Sequence, residues 1–125
     1  MKALAHRGGA GGARENTLAA FEQAVARRAD RIRRLADEIG GTAVVADVTD
    51  DAAVEALAAG LSRVDVLINN AGGARGLEPV AEANLENWRW MWQTNVIGTL
   101  RVTRALLPKL IESGNGLIVT VTSIA

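Results

Sequence analysis

Val64-Asp-Val-Leu-Ile-Asn-Asn-Ala-Gly-Gly73 is the stretch on which the fold turns, an apolar run that stops abruptly at two amides and a glycine loop. An apolar run of this length bounded by turn formers reads as a buried strand rather than a helix. Upstream, Asp50 and Asp51 are placed to cap a helix over residues 52–61. Before them, Thr42-Ala-Val-Val-Ala-Asp47 is a continuous apolar run ending on a carboxylate, the pattern of a strand buried on both faces. Gly40-Gly41 stops the preceding helical pattern, in which Leu18, Phe21, Val25, Ile32, Leu35 and Ile39 recur at mostly helical spacing. That pattern covers residues 17–39, and a helix of about 23 residues would be about 35 Å long, roughly twice a strand. A break near Arg27 to Asp30 is therefore predicted. The chain opens with a short strand over residues 2–5 that meets the glycines of Arg7-Gly-Gly-Ala-Gly-Gly12. Downstream, residues 85–110 form a second long helical stretch with Pro108 near its end. Gly114-Asn-Gly116 then turns into a fourth strand over residues 117–121. Strands alternating with helices imply right-handed crossovers and an α/β fold whose parallel sheet is covered on both sides.

The composition narrows the function. With 125 residues, one domain over 1–125 is expected. Its 14 basic side chains balance 14 acidic ones, so the electrostatic footprint of a nucleic-acid binder is missing. Without cysteine there is no disulfide framework, thiolate zinc site or thiol nucleophile, and a cytoplasmic setting follows. The longest apolar runs fall short of the ~20 residues that span a bilayer, and Met1-Lys2 leads into glycines rather than a signal-peptide core, so no membrane partner is expected. The chain also has no tyrosine, which removes a set of acid/base mechanisms.

Residues 26–125 resemble the short-chain dehydrogenase/reductase family, through several motifs in the right order. Asp47-Val48 is similar to the adenine-side Asp-Val of that family, and Asn69-Asn70-Ala71-Gly72 to its Asn-Asn-Ala-Gly motif. Asn95-Val-Ile-Gly98 resembles the segment carrying the active-site asparagine, and Ser123 in Val-Thr-Ser-Ile-Ala matches the active-site serine. The resemblance implies NAD or NADP as cofactor, catalytic roles for Asn95 and Ser123, and a Rossmann-like three-layer sandwich. It also implies a homodimer through the helix from Trp88 to Leu110. The family's Tyr-x-x-x-Lys pair is absent, and the only lysines, Lys2 and Lys109, fit neither position. Hydride transfer to a carbonyl needs that acid, so the resemblance implies a truncated, inactive domain with weak NAD(P) binding. The family strand expected before Arg27-Arg28 is missing too. Family strand order 3-2-1-4-5 then reduces to a flavodoxin-like 2-1-3-4 in this chain's own count.

Residues 1–32 resemble a different family, the glycerophosphodiester phosphodiesterases, through His6-Arg7-Gly8 and Glu15-Asn16-Thr17. That resemblance implies His6 as a general acid/base, Arg7 as a phosphate contact and Glu15 as a metal ligand. The family's partner carboxylates are replaced by Arg33-Arg-Leu35, so no metal site is assembled, since one carboxylate cannot hold a cation that takes about six oxygens. Gly8 and Gly12 also fall on the first two glycines of the dehydrogenase pattern Thr-Gly-x-x-x-Gly-x-Gly, with Arg7 and Arg14 in place of its threonine and third glycine. The overlap points to a recombined or designed chimera, or a gene-model artefact.

Each motif has a plainer reading. His6 is an ordinary polar turn residue, and Arg27, Arg28, Arg31, Arg33 and Arg34 lie on a solvated face interleaved with Asp30, Asp37 and Glu38. Trp88 and Trp92 share a helix face from which Trp90 points away, so one tryptophan is expected to be exposed. Three functions follow in order: a truncated dehydrogenase-like nucleotide-binding domain, a structural chimera without activity, and a phosphodiesterase-like hydrolase.

Overall fold

The computed structural model describes residues 3–4, 30–76 and 78–123. The chain divides into two compact units, Met1–Asp47 and Val48–Ala125. In the first unit, strands β1 (Ala3–Leu4) and β2 (Thr42–Ala43) pair in parallel, Ala3 beside Thr42 and Leu4 beside Ala43. Helix α1 occupies residues 30–39. Gly40 ends it at φ +66°, its N–H donating to Asp37 O at 3.4 Å while Gly41 N–H donates to Ala36 O at 2.6 Å. This paired six-to-one and five-to-two closure needs a left-handed residue at its pivot, which is why the glycine pair stops the helix. The strand expected over 42–47 is corrected to its first two residues: ladder pairing defines a strand, and among the described residues only Thr42 and Ala43 of this run have ladder partners. Arg31, Arg33 and Arg34 are exposed as expected, and Arg33 pairs with Asp30 at 3.3 Å. The buried face of α1 is marked by Ala36, however, while Leu35 and Ile39 are exposed. The predicted break at 27–30 lies mostly outside the described residues.

The second unit is built on α2 (Asp51–Ala59), β3 (Val66–Asn69), α3 (Leu85–Met91), a π-helical segment (Trp92–Ile97), α4 (Gly98–Glu112) and β4 (Leu117–Thr120). A short 3₁₀ turn, Val80–Glu82, precedes α3. Asp50 caps α2 as expected, its carboxylate accepting from Ala52 N at 2.9 Å and Ala53 N at 3.4 Å. β3 and β4 pair in parallel from Val66 beside Leu117 to Asn69 beside Thr120. Gly98, Val102, Leu106 and Leu110, four apart, form the buried face of α4. That face packs with Val54 and Ala58 of α2 and Leu67 of β3. Each fully buried Val or Leu contributes ~1.5–3 kcal/mol, and these contacts fix α4 against α2 and β3.

The structure departs from two expectations. β3 is buried on one face only, with Leu67 and Asn69 inward and Val66 and Ile68 outward, and β4 is exposed throughout. The single helix expected over 85–110 is three segments, the middle one wound as a π-helix, and it continues past Pro108 to Glu112. Among the described residues no helix is long and apolar enough to cross a membrane.

Candidate functional site

The loop leaving β3 is the best-defined part of the site. Asn95 sits in the π-helical segment, a wide turn of the kind that recurs at functional sites. Its Nδ2 donates to Gly73 O at 2.9 Å while its Oδ1 accepts from Gly73 N–H at 3.0 Å. Thr99 Oγ1 donates to the Asn95 carbonyl at 2.9 Å, bracing the turn from below. A Cβ at Gly72 would lie 3.1 Å from Asn95 Oδ1, and one at Gly73 would lie 3.3 Å from the Trp90 ring. The glycines therefore admit protein side chains on one side of the loop. Trp90 in turn carries the Arg75 guanidinium 4.0 Å above its ring centroid. The two exposed tryptophans are Trp88 and Trp92, where one was expected.

Strand alternation separates the two amides of the motif. Asn69 is buried and donates from Nδ2 to Thr103 Oγ1 at 3.0 Å, tying β3 to α4, whereas Asn70 and Gly72 are exposed and Ala71 is half-buried. Val121 N–H donates to Asn69 O at 2.8 Å, so the chain beyond β4 leaves the sheet beside the Asn70 loop. Ser123, two residues further on, is exposed at that same edge.

A second cluster holds the turn that follows Asp47, itself half-buried. Val48 is 4% exposed and presses on Gly98, where a Cβ would lie 2.7 Å from Val48 Cγ2. Arg101 donates to Val48 O at 2.9 Å and to Asp51 Oδ1 at 2.5 Å. The Arg101 hydrogen bond holds the Asp51 carboxyl below its ordinary value, against a smaller effect of burial. At the other loop, the Asn84 backbone N–H donates to Glu78 at 3.0 Å and lowers that carboxyl in the same way.

His6, Gly8, Gly12 and Glu15 lie outside the described residues. Among the described residues no three His, Cys, Asp or Glu side chains gather as metal ligands would. Sequence reasoning missed Thr103 and Arg101, and it did not pair Gly73 with Asn95 or Trp90 with Gly73 and Arg75, because each contact joins residues distant in the chain. It also missed Asn84, whose side chain caps α3 through Glu86 N–H at 2.8 Å and which the local Asn-Leu-Glu pattern does signal.

The sequence model of the family described as short chain dehydrogenase matches residues 7–125. An uncharacterized oxidoreductase of Mycobacterium tuberculosis is 76% identical over 120 residues, 94% of this chain and 48% of its own. The NADP-dependent 3-hydroxy acid dehydrogenase of Shigella flexneri is 41% identical over 108 residues, 82% of this chain and 44% of its own. Among solved structures, the closed form of serine dehydrogenase complexed with NADP+ superposes with a TM-score of 0.71 at 38% identity, covering 77% of this chain and 41% of the other. The chain thus spans about half the length of the curated relatives it matches.

Proposed function

This chain belongs to the short chain dehydrogenase family, and we propose that it is a dinucleotide-binding portion of such an oxidoreductase, with weak NAD(P) binding and no turnover of its own. The observation that carries the reading is the Asn95 clasp on Gly73, which fixes the loop at the C-terminal end of β3 while leaving Asn70 and Gly72 exposed. Ligands of open parallel sheets bind at such strand ends. A nicotinamide dinucleotide fits these residues, because the loop offers bare backbone on the side that Asn95 and Trp90 do not cover. When bound, the cofactor supplies or accepts a hydride. Asn95 orients the loop and the Ser123 hydroxyl holds the substrate oxygen, but the transfer also needs an acid, and the chain has no tyrosine. The Lys109 ammonium is spent on the Leu61 carbonyl and cannot stand in.

Within this reading residues 1–125 form one cytoplasmic domain with strands in the order 2-1-3-4, and a second copy packs on the helix from Trp88 to Leu110. The parallel pairs β1–β2 and β3–β4 are the outer pairings 2-1 and 3-4 of that order, and the exposed Trp88, Trp92 and Leu100 support the dimer. The names of the relatives, two of which carry NADP, favour NADP for the parent activity. The family match takes in Glu15-Asn16-Thr17, which favours an oxidoreductase over a hydrolase, and 94% coverage by one relative favours a single origin over a chimera.

The sequence offers no lysine in the family position and no apolar run for a strand just before Arg27; with each such contact worth ~1–2 kcal/mol and ~1.4 kcal/mol being tenfold, a micromolar site would move toward millimolar. Titration calorimetry should give dissociation constants above ~100 μM for both NAD+ and NADP+. A low-micromolar constant that weakens in Asp47→Ala would contradict weak binding. Sustained cofactor oxidation that disappears in Ser123→Ala would contradict inactivity.

A further inference from the structure

We propose that Arg101 is a positioning residue for the adenine side of the crevice, an inference that rests on the reading above, in which Asp47 and Val48 take the adenine half. Arg101 is drawn inward, with 14% of its side chain exposed against 67% for its partner Asp51. Exposed ion pairs contribute little, being screened and costly in side-chain entropy. This guanidinium does something else: its fork joins two acceptors three residues apart, the Val48 backbone carbonyl at 2.9 Å and the Asp51 carboxylate at 2.5 Å. A backbone carbonyl held by a rigid planar donor fixes main-chain position, which a lysine with one point charge on a flexible stem does poorly.

The grip has a second finger. Gly98, three residues before Arg101 and on the same side of α4, seats the Val48 side chain so closely that a Cβ would approach it to 2.7 Å. Asp50 closes the turn by capping α2. Asn95, at the start of the same stretch, holds the Gly73 loop. Residues 95–101 therefore anchor two turns, Gly73 through an amide of the π-helical segment and Val48 through a guanidinium of α4. Releasing Arg101 frees the Val48 carbonyl and lets the turn beside Asp47 drift, which weakens the adenine half of the ligand and leaves the Asn95 end in place.

The test is an NMR titration of the 125-residue chain with AMP, and with nicotinamide mononucleotide as the ligand lacking adenine. In the wild type, AMP should move the amides of residues 47–51. Arg101→Met keeps the aliphatic stem and loses both donors; it should bind AMP about fivefold more weakly, with the mononucleotide changed by less than about twofold. Arg101→Lys should fall between. Gly98→Ala, which pushes on Val48 without touching the guanidinium, should reproduce the AMP loss and decides the matter if Arg101→Met does not fold. A folded Arg101→Met chain with wild-type AMP affinity overturns the proposal, as does an equal loss for both ligands, which marks a general structural role. A wild-type chain that ignores AMP overturns the parent reading, and this one with it.

Discussion

Thr94 and Asn95 are adjacent in the π-helical segment and opposite in their energetics. Thr94 is 1% exposed, and its Oγ1 has no hydrogen-bond partner among the described residues. A buried hydroxyl left unpaired costs ~1–3 kcal/mol, and valine has the same shape without it. Thr94→Val should therefore stabilise the chain by about 1 kcal/mol, raising the melting temperature by roughly 3–6 °C. A loss of stability instead would mean that the hydroxyl serves a bound partner. Asn95 makes both of its amide contacts to Gly73. Each hydrogen bond is worth ~0.5–1.5 kcal/mol net, while alanine recovers a few tenths through helix propensity. Asn95→Ala should lose about 1 kcal/mol in urea unfolding with an unchanged m-value. A variant as stable as the wild type would show that the clasp contributes nothing to folding.

At the scale of elements, the acid limb of stability reports on the α2–α4 connection. Asp51 is held below its ordinary value by Arg101, Asp65 by Arg63, and Glu78 by the Asn84 N–H. A carboxyl depressed in the folded state contributes stability that is present above its unfolded pKa and lost as pH falls through the folded one. Unfolding midpoints should hold steady down to about pH 4 and fall below it. Asp51→Asn should flatten part of that fall and leave the shares of Asp65 and Glu78, which thermal melts between about pH 6 and 2.5 can resolve. A slope identical to wild type would mean the Asp51–Arg101 contact does not persist in solution. The sequence made the elements legible where one local signal decides them: the Gly40-Gly41 stop, the Asp50 cap, and the apolar runs of β3 and β4. It hid the π-helical segment, because apolar residues four apart suit a wide turn as well as an ordinary helix. It also hid the half-exposure of β3 and β4, since an apolar run does not say which face finds a cover. Of the candidate site, Asn95 and the Asn69 to Gly72 motif were legible through family resemblance. Thr103 and Arg101 were not, because their partners sit 34 and 53 residues away.

For the whole molecule, the decisive property is how much apolar surface stays uncovered. Along the helical segments Leu85, Trp88, Trp92, Leu100 and Ile111 are each more than half exposed, at 65, 56, 57, 60 and 70%. Their spacing follows one side of the helix, so they form a stripe rather than scattered contacts. On the sheet, Val66 and Ile68 of β3 and Leu117 and Val121 around β4 are also exposed. Contiguous apolar patches of more than a few hundred Å² are rare on monomers and mark association surfaces. The chain should therefore associate at micromolar concentrations, with a change in tryptophan fluorescence on dilution. Light scattering coupled to size exclusion distinguishes the two surfaces. If the helical stripe is the interface, a closed isologous dimer is expected, and Leu100→Glu, which places a charge mid-stripe, should return it to monomer. If the sheet is the interface, association should not stop at two, because among the described residues β4 pairs only with β3 and its second edge can pair with a further copy. Ile68→Lys should then suppress it while Leu100→Glu does not. A wild-type chain that runs as a monomer at high concentration would contradict both, and would require the exposed tryptophans to be tolerated in water.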